Sequence, residues 1–173
     1  MPANTYRFAE HWIIPNAAPD EVWRVISNAR LLPRWWKGVY LEAEVLGDET
    51  EPRVGGQAWV RARGFLPYRL SSILEATEVV PGRVLETTAH GDFEGVWRAT
   101  LSPHDGGTRV DIDWRVTVHK PIVRLLSPLL RPLFAWNHNW TTPRGEAGLR
   151  AYLAEQRRES PPAPRRSRIG GVG

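Results

Sequence analysis

The sequence contains no cysteine, a single methionine and only two lysines, Lys37 and Lys120, in 173 residues. Without a thiol there is no disulfide framework, no thiolate nucleophile, no iron–sulfur ligation and no cysteine-built zinc site. Long apolar runs are missing as well. No window approaches the roughly 18 uncharged apolar residues of a membrane span, so no transmembrane segment is expected. The opening MPANTYRFAEHW lacks the basic start and continuous apolar stretch of a signal peptide, and the expectation is a soluble cytoplasmic domain. Charge of one sign is also scarce in the body. Of the formal +4, half sits in the last fifteen residues, where Glu159 stands against Arg165, Arg166 and Arg168. Residues 1–158 show no basic stripe, so nucleic acid is not an expected partner.

Several chemistries lack their patterns. His11, His90, His104, His119 and His138 form neither HxH nor HExxH, and no metal site is expected. There is no GxSxG elbow, no phosphate-cradling GxxxxGK[ST] loop and no dinucleotide fingerprint, so no cofactor is expected either.

What is present is enough apolar material for one core: hydrophobic residues make up 42% and charged residues 24%. Residues 1–158 read as one domain, and the Pro/Arg/Gly-rich stretch 159–173 reads as a disordered tail. Thr5–Ile14 has strand composition and stops at Pro15-Asn16. Ala18–Ile26 then carries proline and two acids where a helix starts. Asn28–Gly38 reads as a second short helix interrupted at Pro33, with Trp35 and Trp36 beyond it. From Tyr40 the period becomes two, giving Tyr40–Leu46, Gln57–Phe65, Tyr68–Val79, Arg83–His90, Phe93–Leu101 and Thr108–His119 as strands. Their short Gly, Pro and Asp connections imply antiparallel neighbours. In the last strand Val110, Ile112, Trp114, Val116 and Val118 alternate with polar residues, which means one buried and one wet face. For Gln57–Phe65 the small residues Ala58, Val60 and Ala62 are taken as inward. After Pro121 the helical period returns. Prolines 128, 132 and 143 predict a short helix, Ile122–Leu130, leading into a long one near Leu133–Arg158.

The fold class is therefore α+β: a seven-stranded antiparallel sheet whose greasy face the long C-terminal helix must cover, with two short helices after the first strand. The expected helix face carries Gly145 and Gly148. The inward strand positions mix small residues (Ala58, Ala62, Ala89, Gly95, Ala99) with Trp97 and Trp114. Together these favour a space between helix and sheet; the alternative is that the glycines merely let the two approach closely.

The element order joins a set of short motifs: APDEVWRVISN from Ala18, PRWW from Pro33, VGG from Val54, VVPGRVL from Val79 and WRATLSPHDGGTRV from Trp97. With them the chain resembles the START-like helix-grip superfamily (SRPBCC) over about residues 5–156. More narrowly it is similar to that superfamily's polyketide cyclase/dehydrase and lipid-transport branch. WNHNW from Trp136, followed by RGEAGL from Arg144, resembles a bacterial subgroup of it. The resemblance implies a curved sheet gripping the last helix, and it transfers no catalytic residue.

The expected partner is a hydrophobic small molecule, polyketide-, lipid- or sterol-like, held in an internal cavity. On the sheet side the candidate binding residues are Leu70, Ser72, Leu74, Ala89, Gly95, Trp97, Ile112 and Trp114. On the helix side they are Phe134, His138, Thr141 and Gly145. The alternative function is polyketide aromatase/cyclase or dehydratase chemistry, which needs a shaped pocket and a proton donor. His138 is the single catalytic candidate for it; the competing role is a core or rim histidine hydrogen-bonded to a backbone carbonyl. The apolar stretch 121–133 reads as a helix closing the cavity mouth, a homodimer contact, or a surface helix that docks a partner protein or lipid.

Overall fold

The first strand, β1 (Thr5–Ile14), ends at Pro15, and Asn16 turns the chain with a positive φ of 58°. Pro19 then opens α1 (Pro19–Ile26), and Glu21 folds back so that its Oε2 accepts the Ala18 N–H at 2.8 Å. The helix buries Val22, Trp23, Val25 and Ile26, which makes one apolar stripe. A single 3-10 turn (Ala29–Leu31) and the four-residue α2 (Leu32–Trp35) follow. Six strands come next: β2 (Tyr40–Leu46), β3 (Gln57–Arg63), β4 (Arg69–Val80), β5 (Val84–Gly91), β6 (Phe93–His104) and β7 (Gly107–Val118). A long α3 (Ser127–Glu159) ends the fold. The computed structural model describes residues 5–48, 51–63, 69–118 and 127–159. The expected strand ends at 64–65, 68 and 119, the segment 119–126 and the tail from 160 lie outside the described residues.

The seven strands form one antiparallel sheet in the order β1-β7-β6-β5-β4-β3-β2. Register irregularities between Tyr40 and Glu42 and between Ala76 and Glu78 mark bulges, which bend strands and raise local twist. The sheet is curved and α3 lies in its concavity, an α+β helix-grip architecture. The small residues of β3 do face inward, with Ala58 and Val60 buried.

One expectation about the last helix fails. The chain does not break near Pro132: a single 33-residue helix runs through it. Pro128 occupies the first turn, where an N–H has no intrahelical partner to lose. Pro132 forfeits one intrahelical bond and Pro143 one more. The rest of α3 is anchored by tertiary packing, with Thr141, Gly145, Leu149 and Leu153 buried at four-residue spacing.

The glycines of α3 need a second correction. A Cβ on Gly145 would lie 2.7 Å from Trp36 Cε2 and 2.9 Å from the Trp12 ring. A Cβ on Gly148 would overlap the carbonyl oxygen of Trp35. Neither position faces open space. Both exist so that α3 can rest directly on α2 and its tryptophans.

Candidate functional site

Strand register sorts the inward side chains into rows that cross the sheet. One row runs Glu10, Ile112, Ala99, Leu85 and Val79. Its centre is sealed, with Ile112 at 2%, Ala99 at 0% and Leu85 at 5% exposure. On one side of it lie Trp12, Val110 and Leu101, at 1%, 1% and 4%. There the core is closed by indoles: Trp35 stacks on Trp36 at 5.1 Å, and Trp12 meets them edge-on at 6.3 and 5.5 Å. The Trp36 Nε1 donates to the Thr141 carbonyl at 3.0 Å and ties α3 to this plug.

On the other side of the sealed row the cover thins. The next row is Phe8, Trp114, Trp97, Thr87 and Ala76, and every member is only half-buried. Phe8 and Trp114 touch with ring centroids 5.8 Å apart. The row beyond holds Gly95, Ala89, Leu74 and Ala58, of which Gly95 and Leu74 are half-buried. Ser72 follows at 3% exposure, its hydroxyl donating to the Ser71 carbonyl at 2.8 Å; Leu70 pairs with Ala62 at the far end.

The sheet thus brings eight of the expected residues onto one concave face: Leu70, Ser72, Leu74, Ala89, Gly95, Trp97, Ile112 and Trp114. Trp97 and Trp114 are direct cross-strand neighbours. Of the helix-side set, Thr141 is buried at 6% beside the tryptophan plug, and Gly145 is packed under it. Phe134 and His138 lie on α3, but their side chains fall outside the described part of the structure.

Sequence reasoning placed β1 but took no site residue from it. Its inward residues include Phe8 and Glu10, and the Thr142 Oγ1 on α3 donates to Glu10 Oε1 at 3.3 Å. The alternation Tyr6, Phe8, Trp12, Ile14 carried that signal for Phe8, whereas Glu10 needed the register against β7. One turn further along α3, Glu146 Oε1 accepts the Ile13 N–H at 2.9 Å while Arg150 Nε donates to the Ile13 carbonyl at 2.7 Å. These bonds satisfy both backbone groups of Ile13 on the outer edge of β1, an edge strand.

Tyr40, inward on β2, tilts against Trp36 at 5.4 Å. Part of its surface reaches solvent, but the phenol is surrounded by protein, and burial pushes it up to about 12. The convex face is ionic instead. Arg7 holds Asp113 at 2.8 Å and Arg98 holds Glu78 at 2.5 Å; the hydrogen bonds from these guanidiniums keep both carboxyls below the usual range. Among the described residues no group of three or more His, Asp or Glu side chains is placed to hold a metal. Nor is any described helix long and apolar enough to cross a membrane. A 240 Å³ groove between α2 and α3, with Arg34, Lys37, Arg144 and Tyr152 on its walls, takes no residue from the sheet.

A family model described as polyketide cyclase / dehydrase and lipid transport matches residues 7–151. No curated protein matches the chain. Among solved structures, TTHA0849 from Thermus thermophilus is similar with a TM-score of 0.70 at 19% identity, covering 88% of this chain and 98% of its own. A START superfamily protein from Mycobacterium smegmatis gives 0.66 at 14%, over 88% and 98%. Ara h 8.0201 gives 0.62 at 12%, over 87% and 99%. At these identities the likeness is one of fold.

Proposed function

Because the chain belongs to the polyketide cyclase/dehydrase and lipid transport family, we propose that it binds a hydrophobic small molecule, polyketide-, lipid- or sterol-like, between the concave face of the sheet and α3. One observation carries this reading. The inward row Phe8, Trp114, Trp97 and Thr87 is half-buried while its neighbour Ile112, Ala99 and Leu85 is sealed. Large aromatics on the inner face of a sheet are normally the best-covered groups in a core, because covering them removes the most apolar area from water. Left partly uncovered beside the small residues Gly95 and Ala89, they form an apolar wall for a guest. The Thr87 hydroxyl lies in that row, Glu10 begins the row beside it, and the Ser72 hydroxyl lies two rows away. A guest burying roughly 300 Å² of apolar surface gains on the order of 7 kcal/mol before ordering costs, enough for a useful complex.

Native mass spectrometry of freshly purified protein tests for a retained apolar molecule, and a thermal-shift panel of fatty acids, sterols and aromatic polyketides tests for binding. A ligand at a hundred times its Kd adds about 2.7 kcal/mol to stability, a clear rise in melting temperature. Trp97→Ala and Trp114→Ala should abolish that rise. A panel in which no apolar compound shifts the wild-type protein, with nothing retained on purification, overturns the proposal.

A further inference from the structure

The 240 Å³ groove between α2 and α3 gathers charge of one sign from distant parts of the chain. Arg34 comes from α2, Lys37 from the turn after it and Arg144 from α3. Along α3 the lining residues Arg144, Ala147, Gly148, Ala151, Tyr152 and Glu155 recur three and four apart, which makes them one helix face. Glu155 is the one acid in the lining, but it stands about 16 Å from Arg144 along the helix axis. Among the described residues neither Glu155 nor any other carboxylate pairs with Arg34, Lys37 or Arg144. Elsewhere Arg7, Arg61, Arg98, Arg109, Arg150 and Arg157 each lie against an acid. Arg144 is also held in place: its Nη1 donates to the Trp140 carbonyl at 2.7 Å and its guanidinium lies 3.9 Å over the Trp140 ring. A guanidinium carries five N–H donors, so an edge of Arg144 remains for a ligand. Cations that line one cleft repel one another, and the low-dielectric walls focus their field, so the groove favours an anion.

We propose that this groove is a second binding site, for a small organic phosphate monoester. It takes no residue from the sheet and stands whether or not the concave face binds a guest. Three cations and one acid leave the lining a net charge of +2. A phosphate brings a charge of about −1.5 to −2 and three acceptor oxygens; a carboxylate brings one charge and two oxygens. Arg34 and Arg144 can each take two oxygens in a fork, and Lys37 acts as a point charge. Ala147, Gly148 and Ala151 leave a smooth shelf beside Tyr152 for the organic part. At 240 Å³ the groove is smaller than the roughly 300–1,000 Å³ of drug-sized sites, which restricts it to a small molecule.

Isothermal titration calorimetry at fixed ionic strength, on the full chain, compares phenyl phosphate, benzoate and inorganic phosphate. The wild-type protein should bind phenyl phosphate at least about tenfold more tightly than either of the others. Arg34, Lys37 and Arg144 are exposed, so substitution there leaves the core intact. Arg34→Gln and Lys37→Gln should each weaken phenyl phosphate about fivefold. Arg158→Gln, an exposed arginine in the last turn of α3 and outside the groove, should leave it unchanged and so separates the site from general surface charge. The wild-type ranking alone decides the matter should a variant fail to fold. No binding of phenyl phosphate, equal affinity for benzoate or inorganic phosphate, or full binding by R34Q and K37Q overturns the proposal. Sedimentation with phosphatidylcholine vesicles that contain phosphatidic acid, without binding of phenyl phosphate, assigns the charge to a membrane surface and overturns it as well.

Discussion

Trp12, Trp35 and Trp36 form one aromatic cluster yet differ in a single respect. The Trp36 indole donates to the Thr141 carbonyl, whereas the buried Trp12 and Trp35 Nε1 atoms have no acceptor among the described residues. A desolvated donor without a partner costs about 1–3 kcal/mol, so the same substitution should have unequal effects at two of these positions. Trp12→Phe loses ring packing but removes an unsatisfied donor; Trp36→Phe loses packing and a hydrogen bond that ties it to α3. Urea unfolding should place Trp36→Phe below Trp12→Phe in stability by about 1 kcal/mol or more. Equal or reversed losses would contradict this account of the cluster. At this scale the sequence was legible where alternation was strong. Trp97 and Trp114 could be put on one face because each sits in a clean period-two run, and they prove to be register partners. Glu10 was not legible in the same way, since an acid in an aromatic strand reads as an outward residue until the register of β1 against β7 is known.

Between elements, the decisive contact is α3 against α2. Gly148 lets the long helix lie on the Trp35 carbonyl, and Gly145 receives the Trp36 and Trp12 rings. Mid-helix glycine costs about 1 kcal/mol relative to alanine in propensity alone, so Gly148→Ala would stabilise an unencumbered helix. Here backbone blocks the methyl, and backbone cannot swing aside as a flexible side chain can. Gly148→Ala should therefore destabilise by about 1–3 kcal/mol in chemical denaturation, opposite in sign to the propensity effect. A stabilised variant would mean that the two helices do not touch as described. The sequence showed two glycines on one helix face but not the partner they meet, because the approach of α2 depends on a turn of about ten residues over 27–36 far away in the chain. Strand positions were readable from local alternation and turn residues. The unbroken α3 was not, because local proline chemistry predicts a stop that tertiary anchoring overrides.

For the molecule as a whole, the curved sheet separates two environments: an apolar concave face that carries the proposed site, and a convex face on which Arg7, Asp113, Arg98, Glu86 and Glu78 lie across five strands with ion pairs between Arg7 and Asp113 and between Arg98 and both glutamates. The hydrogen bonds from Arg7 and Arg98 hold the Asp113 and Glu78 carboxyls below their usual range. As pH falls through about 4, the unfolded chain takes up these protons before the folded one does. Stability from the pairs is thus present above about pH 4 and is lost as pH drops below it. Both acids are near solvent, so the contribution is modest and salt should weaken it further. Urea midpoints measured between about pH 6 and pH 3 should fall less steeply in the Asp113→Asn, Glu78→Gln double variant than in the wild type. The gap between the two curves should narrow in high salt. Parallel curves would show that the convex pairs do not couple protonation to folding.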